Sequence, residues 1–81
     1  MDFKKDDSGV GVYSEEKEVG RAFCRYSGNQ VEILRVEVDD SMRGRGIAGQ
    51  LVEKVVTEAE GENKEIVPIC SYAVKWMSEH R

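Results

Sequence analysis

The residues of this chain best suited to chemistry lie in the run Arg43-Gly44-Arg45-Gly46-Ile47-Ala48. The run begins soon after the apolar segment Leu34 to Val38, and a helical pattern starts within it. N–H groups in the first turn of a helix have no partner inside the helix, and glycines let a ligand approach them closely. Arginine side chains supply matching positive charge. The spacing therefore predicts an anion site that takes phosphate groups.

The alternative interpretation of the same run is a solvated basic loop in front of a helix. Glycine at both 44 and 46 weakens a helix start by roughly 1 kcal/mol each relative to alanine. This loss is explained if a ligand must reach the backbone, so the pattern favours ligand binding over a plain loop.

The run also resembles a known signature, the Q/R-x-x-G-x-G/A pyrophosphate loop of the acetyl-CoA-dependent N-acetyltransferase (GNAT) superfamily. Arg43, Gly46 and Ala48 occupy its three specified positions, and a strand before and a helix after the loop extend the likeness. The resemblance implies acetyl-CoA as co-substrate. The cofactor-binding residues it implies are Val36, Val38, Arg43, Gly44, Arg45, Gly46, Ile47, Ala48 and Gly49.

The strand before the loop has its own implied role. By resemblance, Leu34 to Val38 aligns the pantetheine arm like an added strand and directs the N–H of Val36 at the thioester carbonyl. A fixed donor at that position is worth about 3 kcal/mol. Burial in a central strand explains the side chains without a ligand, and the two interpretations are compatible.

Two residues near the last strand are candidate catalytic groups. Cys70 lies at a helix start, where the dipole favours a thiolate, and a small single-domain GNAT-like subfamily has a cysteine in a similar Cys-Ser-Tyr-Ala context. Cys70 is thus a candidate acetyl acceptor, with packing as the alternative. The resemblance makes Tyr72 a candidate acid for the departing CoA thiolate; the alternative is that its ring anchors the last helix.

A general base for an acceptor amine is not singled out by the sequence. Glu37, Asp39 and Asp40 lie at or near the end of the strand, where charged residues also serve as caps or surface. The cysteines, Cys24 and Cys70, lack metal-ligand spacing, and we expect free thiols and no metal.

The surrounding pattern predicts an α+β fold. After a charged start that we expect to fray, Val10 and Val12 indicate a short strand, and residues 17 to 38 form an antiparallel hairpin around Ser27-Gly28-Asn29. In the return strand the apolar residues change parity near Ile33-Leu34, which predicts a β-bulge. A GNAT-like sheet, mixed but mostly antiparallel, similarly carries a bulge in its central strand.

The second half predicts a central helix, a last strand and a short helix. The helix ends near Gly61, and its apolar residues repeat every four positions in two rows: Ile47, Leu51, Val55, Ala59 and Ala48, Val52, Val56. A right-handed crossover makes the strand from Glu65 to Cys70 parallel to its neighbour. Pro68 requires an edge or a splay there. Ser71 is the expected cap of a helix from Tyr72 to His80.

Size and composition limit the class of protein. The chain of 81 residues is expected to form one domain, 1–81, small enough that a homodimer is compatible with it. Hydrophobic residues make up 40% and charged residues 35%, which is typical of folded proteins. The net charge of −4 argues against nucleic-acid binding. With no long apolar run and no signal peptide, we expect a cytoplasmic protein without membrane contact.

The sequence therefore favours an acetyl-CoA-binding N-acetyltransferase-like protein with an unknown amine acceptor. Compared with typical GNAT enzymes, the N-terminal helical region and closing hairpin are missing, so a catalytically silent CoA-binding regulatory module is the alternative. A third interpretation, a small domain that contacts phosphate on RNA or protein, is disfavoured by the acidic balance and the lack of an aromatic platform.

Overall fold

The strands of the protein form a single sheet that carries two helices. The computed structural model describes all 81 residues. The elements are β1 Asp2–Asp6, β2 Gly9–Ser14, β3 Lys17–Ser27, β4 Gln30–Val38, a 3₁₀ turn Asp40–Met42, α1 Ile47–Gly61, β5 Glu65–Pro68 and α2 Ser71–His80. The strand order is β1-β2-β3-β4-β5, antiparallel throughout except for the parallel pair β4 and β5. The predicted α+β fold with a parallel last strand is confirmed.

The first strand was not expected, and the prediction of a frayed start is wrong. β1 pairs antiparallel with β2, from Asp2 opposite Tyr13 to Asp6 opposite Gly9. Its residues are exposed except for half-buried Phe3, so the segment has no alternation that marks a strand. An edge strand is held by backbone pairing, which a hydrophobic pattern does not reveal.

The predicted bulge in β4 is confirmed. Phe23 lies opposite Arg35 and Cys24 lies opposite Ile33, so Leu34 is the extra residue of β4. The bulge restores the inward direction of alternate side chains: Ile33 before it and Val36 after it pack against the same core. Without that extra residue, the second half of β4 would present its valines to solvent.

The core lies between the sheet and the helices. The buried residues of α1 all belong to the predicted rows: Ile47, Leu51, Val52, Val55, Val56 and Ala59; Ala48, the remaining member, is half-buried. They join sheet residues such as Val12 and Ile33 and the α2 residues Ala73 and Trp76 in one cluster. Neither helix is long and apolar enough to cross a membrane.

The face of the sheet away from α1 is organised by Arg21, whose side chain is only 8% exposed. Arg21 donates to the Asp6 carboxylate at 2.8 and 2.9 Å and to the Glu18 carboxylate at 2.9 and 3.2 Å. The pKa of the Asp6 carboxyl is well below its ordinary value because Arg21 and the Ser8 N–H donate to it. Arg21 lies across Gly11, where a Cβ would be 2.8 Å from its Nη2. This network connects β1 and β3 across β2.

Candidate functional site

The site is built around a splay between β4 and β5. The two strands pair only from Gln30 opposite Glu65 to Ile33 opposite Pro68. The N–H groups of Ile69 and Cys70 both donate to the Ile33 carbonyl oxygen, at 3.0 and 3.2 Å, and the chain then turns into α2. The expectation that the strand with Pro68 lies at an edge and diverges is confirmed. Residues 34–38 of β4 therefore have a free edge.

The free edge of β4 presents backbone donors. The N–H of Asp39, the residue after β4, donates to the Val19 carbonyl oxygen at 2.8 Å. The N–H groups of odd-numbered residues at this end of β4 therefore point toward β3. Because N–H directions alternate along a strand, the N–H groups of Val36 and Val38 point the other way, into the splay. These two donors can pair with an extended ligand that lies along β4 as a strand does.

The start of α1 offers a second set of donors. Its N-cap residue, Gly46, provides no side-chain hydrogen bond, and the first helical bond is that of the Gln50 N–H to the Gly46 carbonyl oxygen. The N–H groups of Ile47, Ala48 and Gly49 consequently have no partner in the protein. Partial positive charge at this helix end favours an anion.

The glycines before α1 have a conformational reason as well. Gly44 and Gly46 have φ angles of +81° and +73°, a left-handed conformation that other residues adopt only with strain. No atom lies within 4 Å of a Cβ built on either residue. The left-handed backbone therefore explains these glycines without a ligand, and the empty space beside them leaves room for one.

A cavity of about 440 Å³ joins the β4 edge to the loop and to α2, and its size is ordinary for a ligand pocket. It is lined by Val36, Val38, Met42, Arg43, Gly44, Gly46, Ile47, Ala48 and Tyr72. The structure thus brings together most of the residues predicted to bind the cofactor, and Tyr72 with them. Arg45, Gly49 and Cys70 do not line this cavity. Met42 was missed, although its apolar side chain directly before the motif was a signal.

The two loop arginines differ in their surroundings. Arg43 is 74% exposed and its Nε lies 3.0 Å from Asp40 Oδ1. No carboxylate lies within ion-pair distance of Arg45. Both guanidinium groups are therefore accessible to an anion at the start of α1, and Arg43 is the one that borders the cavity.

Gly49 has a packing function that the sequence did not show. A Cβ at Gly49 would lie 3.3 Å from Tyr72 Oη and 3.5 Å from Trp76 Nε1. The missing side chain lets α2 lie close against the first turn of α1, with the Tyr72 hydroxyl beside that turn. The absence of a side chain at Gly49 thus allows the two helices to pack, while its N–H is one of the three unpaired groups at the start of α1.

Cys70 caps α2. Its Sγ accepts a hydrogen bond from the Ala73 N–H at 3.3 Å, so the expectation that Ser71 caps this helix is wrong by one residue. Cys70 is half-buried, next to the point where the strands separate. Cys24, by contrast, is fully buried, and burial raises the pKa of its thiol to about 11. Both thiols are free.

The three candidate bases lie near the C-terminal end of β4. Glu37, Asp39 and Asp40 all border a second cavity, of about 560 Å³, which shares Val38 with the first. Each carboxylate has a cationic partner: Glu37 pairs with Arg35 at 2.8 Å, Asp39 with Lys17 at 3.6 Å and Asp40 with Arg43 at 3.0 Å. The geometry does not single out one base. No three or more His, Cys, Asp or Glu side chains are arranged so that they could hold a metal ion.

Comparison with known proteins identifies the class. The model of the GCN5-related N-acetyl-transferase family matches residues 11–81, and the chain belongs to this family. No curated protein matches it.

Solved structures show the same fold. A GCN5-like protein from Staphylococcus aureus, determined by NMR, is 22% identical with a TM-score of 0.74, over 96% of this chain and 78% of the other. An aminoglycoside acetyltransferase from an uncultured soil metagenomic sample, in complex with sisomicin, is 17% identical with a TM-score of 0.63. That match covers 89% of this chain but only 55% of the enzyme.

Proposed function

We propose that this protein binds acetyl-CoA between β4 and α1 and transfers the acetyl group to a primary amine. One observation carries the proposal: the unpaired N–H groups of Ile47 and Ala48 at the start of α1, the Arg43 guanidinium and the free edge of β4 converge on one cavity. A phosphate-bearing ligand with an extended amide arm matches both sets of donors. Family membership supports the same ligand.

Each part of the site has a role in this proposal. The N–H groups of Ile47, Ala48 and Gly49, with Arg43 and Arg45, hold the diphosphate of CoA. The N–H of Val38, on the free edge of β4, pairs with an amide of the pantetheine arm, and the N–H of Val36 stays available for the thioester carbonyl. Such alignment lowers the barrier because it holds the thioester where an amine can reach it.

Acetyl-CoA supplies an activated acyl group, and the residues of the chain act on its reaction. The Val36 N–H stabilises negative charge on the carbonyl oxygen while the amine nitrogen bonds to the carbonyl carbon, an effect worth about 3 kcal/mol. As the carbon–sulfur bond breaks, the Tyr72 hydroxyl protonates the departing CoA thiolate. One of the carboxylates Glu37, Asp39 and Asp40 takes a proton from the amine.

A second path for acetyl transfer uses Cys70 as the nucleophile. In this path the Cys70 thiolate attacks the thioester carbonyl carbon, an acetyl-cysteine forms, and CoA leaves as its thiolate; the amine then takes the acetyl group from Cys70. The capping bond from Ala73 supports the alternative, that Cys70 only holds α2. Mass spectrometry of the protein after incubation with acetyl-CoA distinguishes the two, since only the first leaves an acetyl group on Cys70.

The second candidate function is a CoA-binding module without turnover. One observation favours it: every candidate base is already paired with a cation. Release of free CoA from acetyl-CoA in the presence of a panel of primary amines indicates transfer. Tight binding without release for any amine supports the silent module.

Calorimetry with acetyl-CoA tests the binding proposal. We expect the wild-type protein to bind, and the double variant Arg43→Glu with Gly46→Val to lose binding at least tenfold. The matched control, Arg25→Glu with Gly28→Val, makes the same changes in the hairpin of β3 and β4: Arg25 lies in β3, and Gly28, in the turn, is also left-handed with open space around it. No binding by the wild type, or equal binding by the Arg43 double variant, overturns the proposal.

A further inference from the structure

The arginine at the cavity already has an anionic partner. Arg43 Nε lies 3.0 Å from Asp40 Oδ1, and the Arg43 N–H donates to the Asp40 carbonyl oxygen at 3.3 Å. Both contacts form across the 3₁₀ turn that connects β4 to the glycine loop. The same guanidinium borders the cavity, so a phosphate there and the Asp40 carboxylate compete for it.

Asp40 is the one carboxylate in a position to compete. Its neighbour Asp39 pairs with Lys17 at 3.6 Å, and Glu37 pairs with Arg35 at 2.8 Å. Arg43 has no second carboxylate within ion-pair distance. Asp40 is 91% exposed and makes no other ion pair, so its carboxylate can move away when Arg43 changes partner.

We propose that Asp40 sets the affinity for phosphate-bearing ligands by competing with their diphosphate for Arg43. This inference rests on the proposed function and adds a specificity-determining residue to it. Ligand entry exchanges the Asp40–Arg43 pair for a phosphate–Arg43 pair, and the reverse exchange accompanies release of CoA. A ligand that lacks phosphate does not require the exchange, so Asp40 reduces the preference for CoA over pantetheine.

The expected effect is modest, because the pair is exposed to solvent. Ion pairs of this kind contribute little to stability, and removal of the competing carboxylate is expected to tighten CoA binding about 2- to 5-fold. Pantetheine, which has the same arm without the diphosphate, is expected to bind equally well to the wild type and to a variant without the Asp40 carboxylate.

The experiment is calorimetry with CoA and with pantetheine on the variant Asp40→Asn and the control Asp39→Asn. Both variants remove one negative charge, from adjacent positions after β4, but only the first releases Arg43. The variant Asp40→Ser repeats the test with a smaller side chain, and circular dichroism checks that each protein is folded. In an Arg43→Gln background, we expect Asp40→Asn and Asp39→Asn to have equal effects, since the competition no longer exists.

The outcomes separate this inference from the proposed function. No binding of CoA by the wild type overturns the proposed function. If the wild type binds CoA but Asp40→Asn binds no more tightly than Asp39→Asn, only the role of Asp40 is overturned. Weaker binding by Asp40→Asn also overturns it, because Asp40 then orients Arg43 for the ligand. Weak CoA binding that tightens only in the Asp40 variants supports it.

Discussion

Two arginines of this protein, Arg21 and Arg43, show how a structural guanidinium differs from one available to a ligand. Arg21 is 8% exposed and donates to two carboxylates and to two hydroxyl groups. Arg43 is 74% exposed and pairs with a single, freely exposed aspartate. The first has its hydrogen-bonding capacity filled by the fold, whereas the second retains capacity for a ligand.

The surroundings of the two arginines differ in the same way. Around Arg21, strands β1, β2 and β3 pair along their length. Around Arg43, the N–H groups at the start of α1 are unpaired, and β4 has lost its β5 neighbour. Unpaired donors in a stable fold are typical of binding sites. The comparison therefore predicts that damage near Arg21 lowers stability and that damage near Arg43 lowers ligand affinity.

The largest expected effect is on stability, from Arg21→Met. The change leaves the Asp6 and Glu18 carboxylates without their buried partner, and we expect a loss of about 2–3 kcal/mol in the free energy of unfolding. Urea denaturation followed by Trp76 fluorescence measures it. The control Arg43→Gln should change stability by less than about 0.5 kcal/mol. Equal stability of the two variants would contradict the distinction between the two arginines.

The second largest expected effect is a loss of stability in acid, where the carboxylates paired with Arg21 become protonated. The pKa values of Asp6 and Glu18 are lowered in the folded protein because Arg21 donates to both carboxylates. Between the folded and unfolded pKa values the unfolded chain binds more protons, so stability rises with pH in that window. We expect stability to be constant above about pH 5 and to fall below about pH 4.

The variant Asp6→Asn sharpens this prediction. It should be less stable than the wild type at pH 7, and its loss of stability in acid should be shallower, because one of the two linked carboxylates is gone. Urea denaturation at a series of pH values gives both quantities. If the stability of Asp6→Asn falls as steeply with decreasing pH as that of the wild type, carboxylates other than Asp6 cause the acid sensitivity.

The smallest expected effect concerns two glycines of α1, of which only Gly49 packs against α2. Gly61→Ala, at the last residue of α1 with nothing nearby, should stabilise the protein by about 0.5 kcal/mol through helix propensity. Gly49→Ala gains the same propensity, but its Cβ meets Tyr72 Oη at 3.3 Å. We expect it to be less stable than Gly61→Ala by about 0.5–1 kcal/mol. Thermal unfolding compares the two, and equal gains would mean that Tyr72 moves aside freely.

Several parts of the fold could be predicted from the local sequence alone. The rows of apolar residues predicted α1, the parity change predicted the bulge at Leu34, and Pro68 predicted the end of strand pairing. The loop signature predicted most of the residues that line the cavity. These features succeed because each depends on side-chain spacing or backbone chemistry within one or two turns of chain.

Contacts between distant segments were not accessible in that way. The strand character of Asp2–Asp6, the buried position of Arg21 and the packing of Tyr72 over Gly49 depend on which segments meet. The sequence by itself determined the local elements other than β1, and the phosphate-loop signature. Only the tertiary structure decided which donors are satisfied and which remain open, because that outcome depends on strand register and helix packing between residues far apart in the chain.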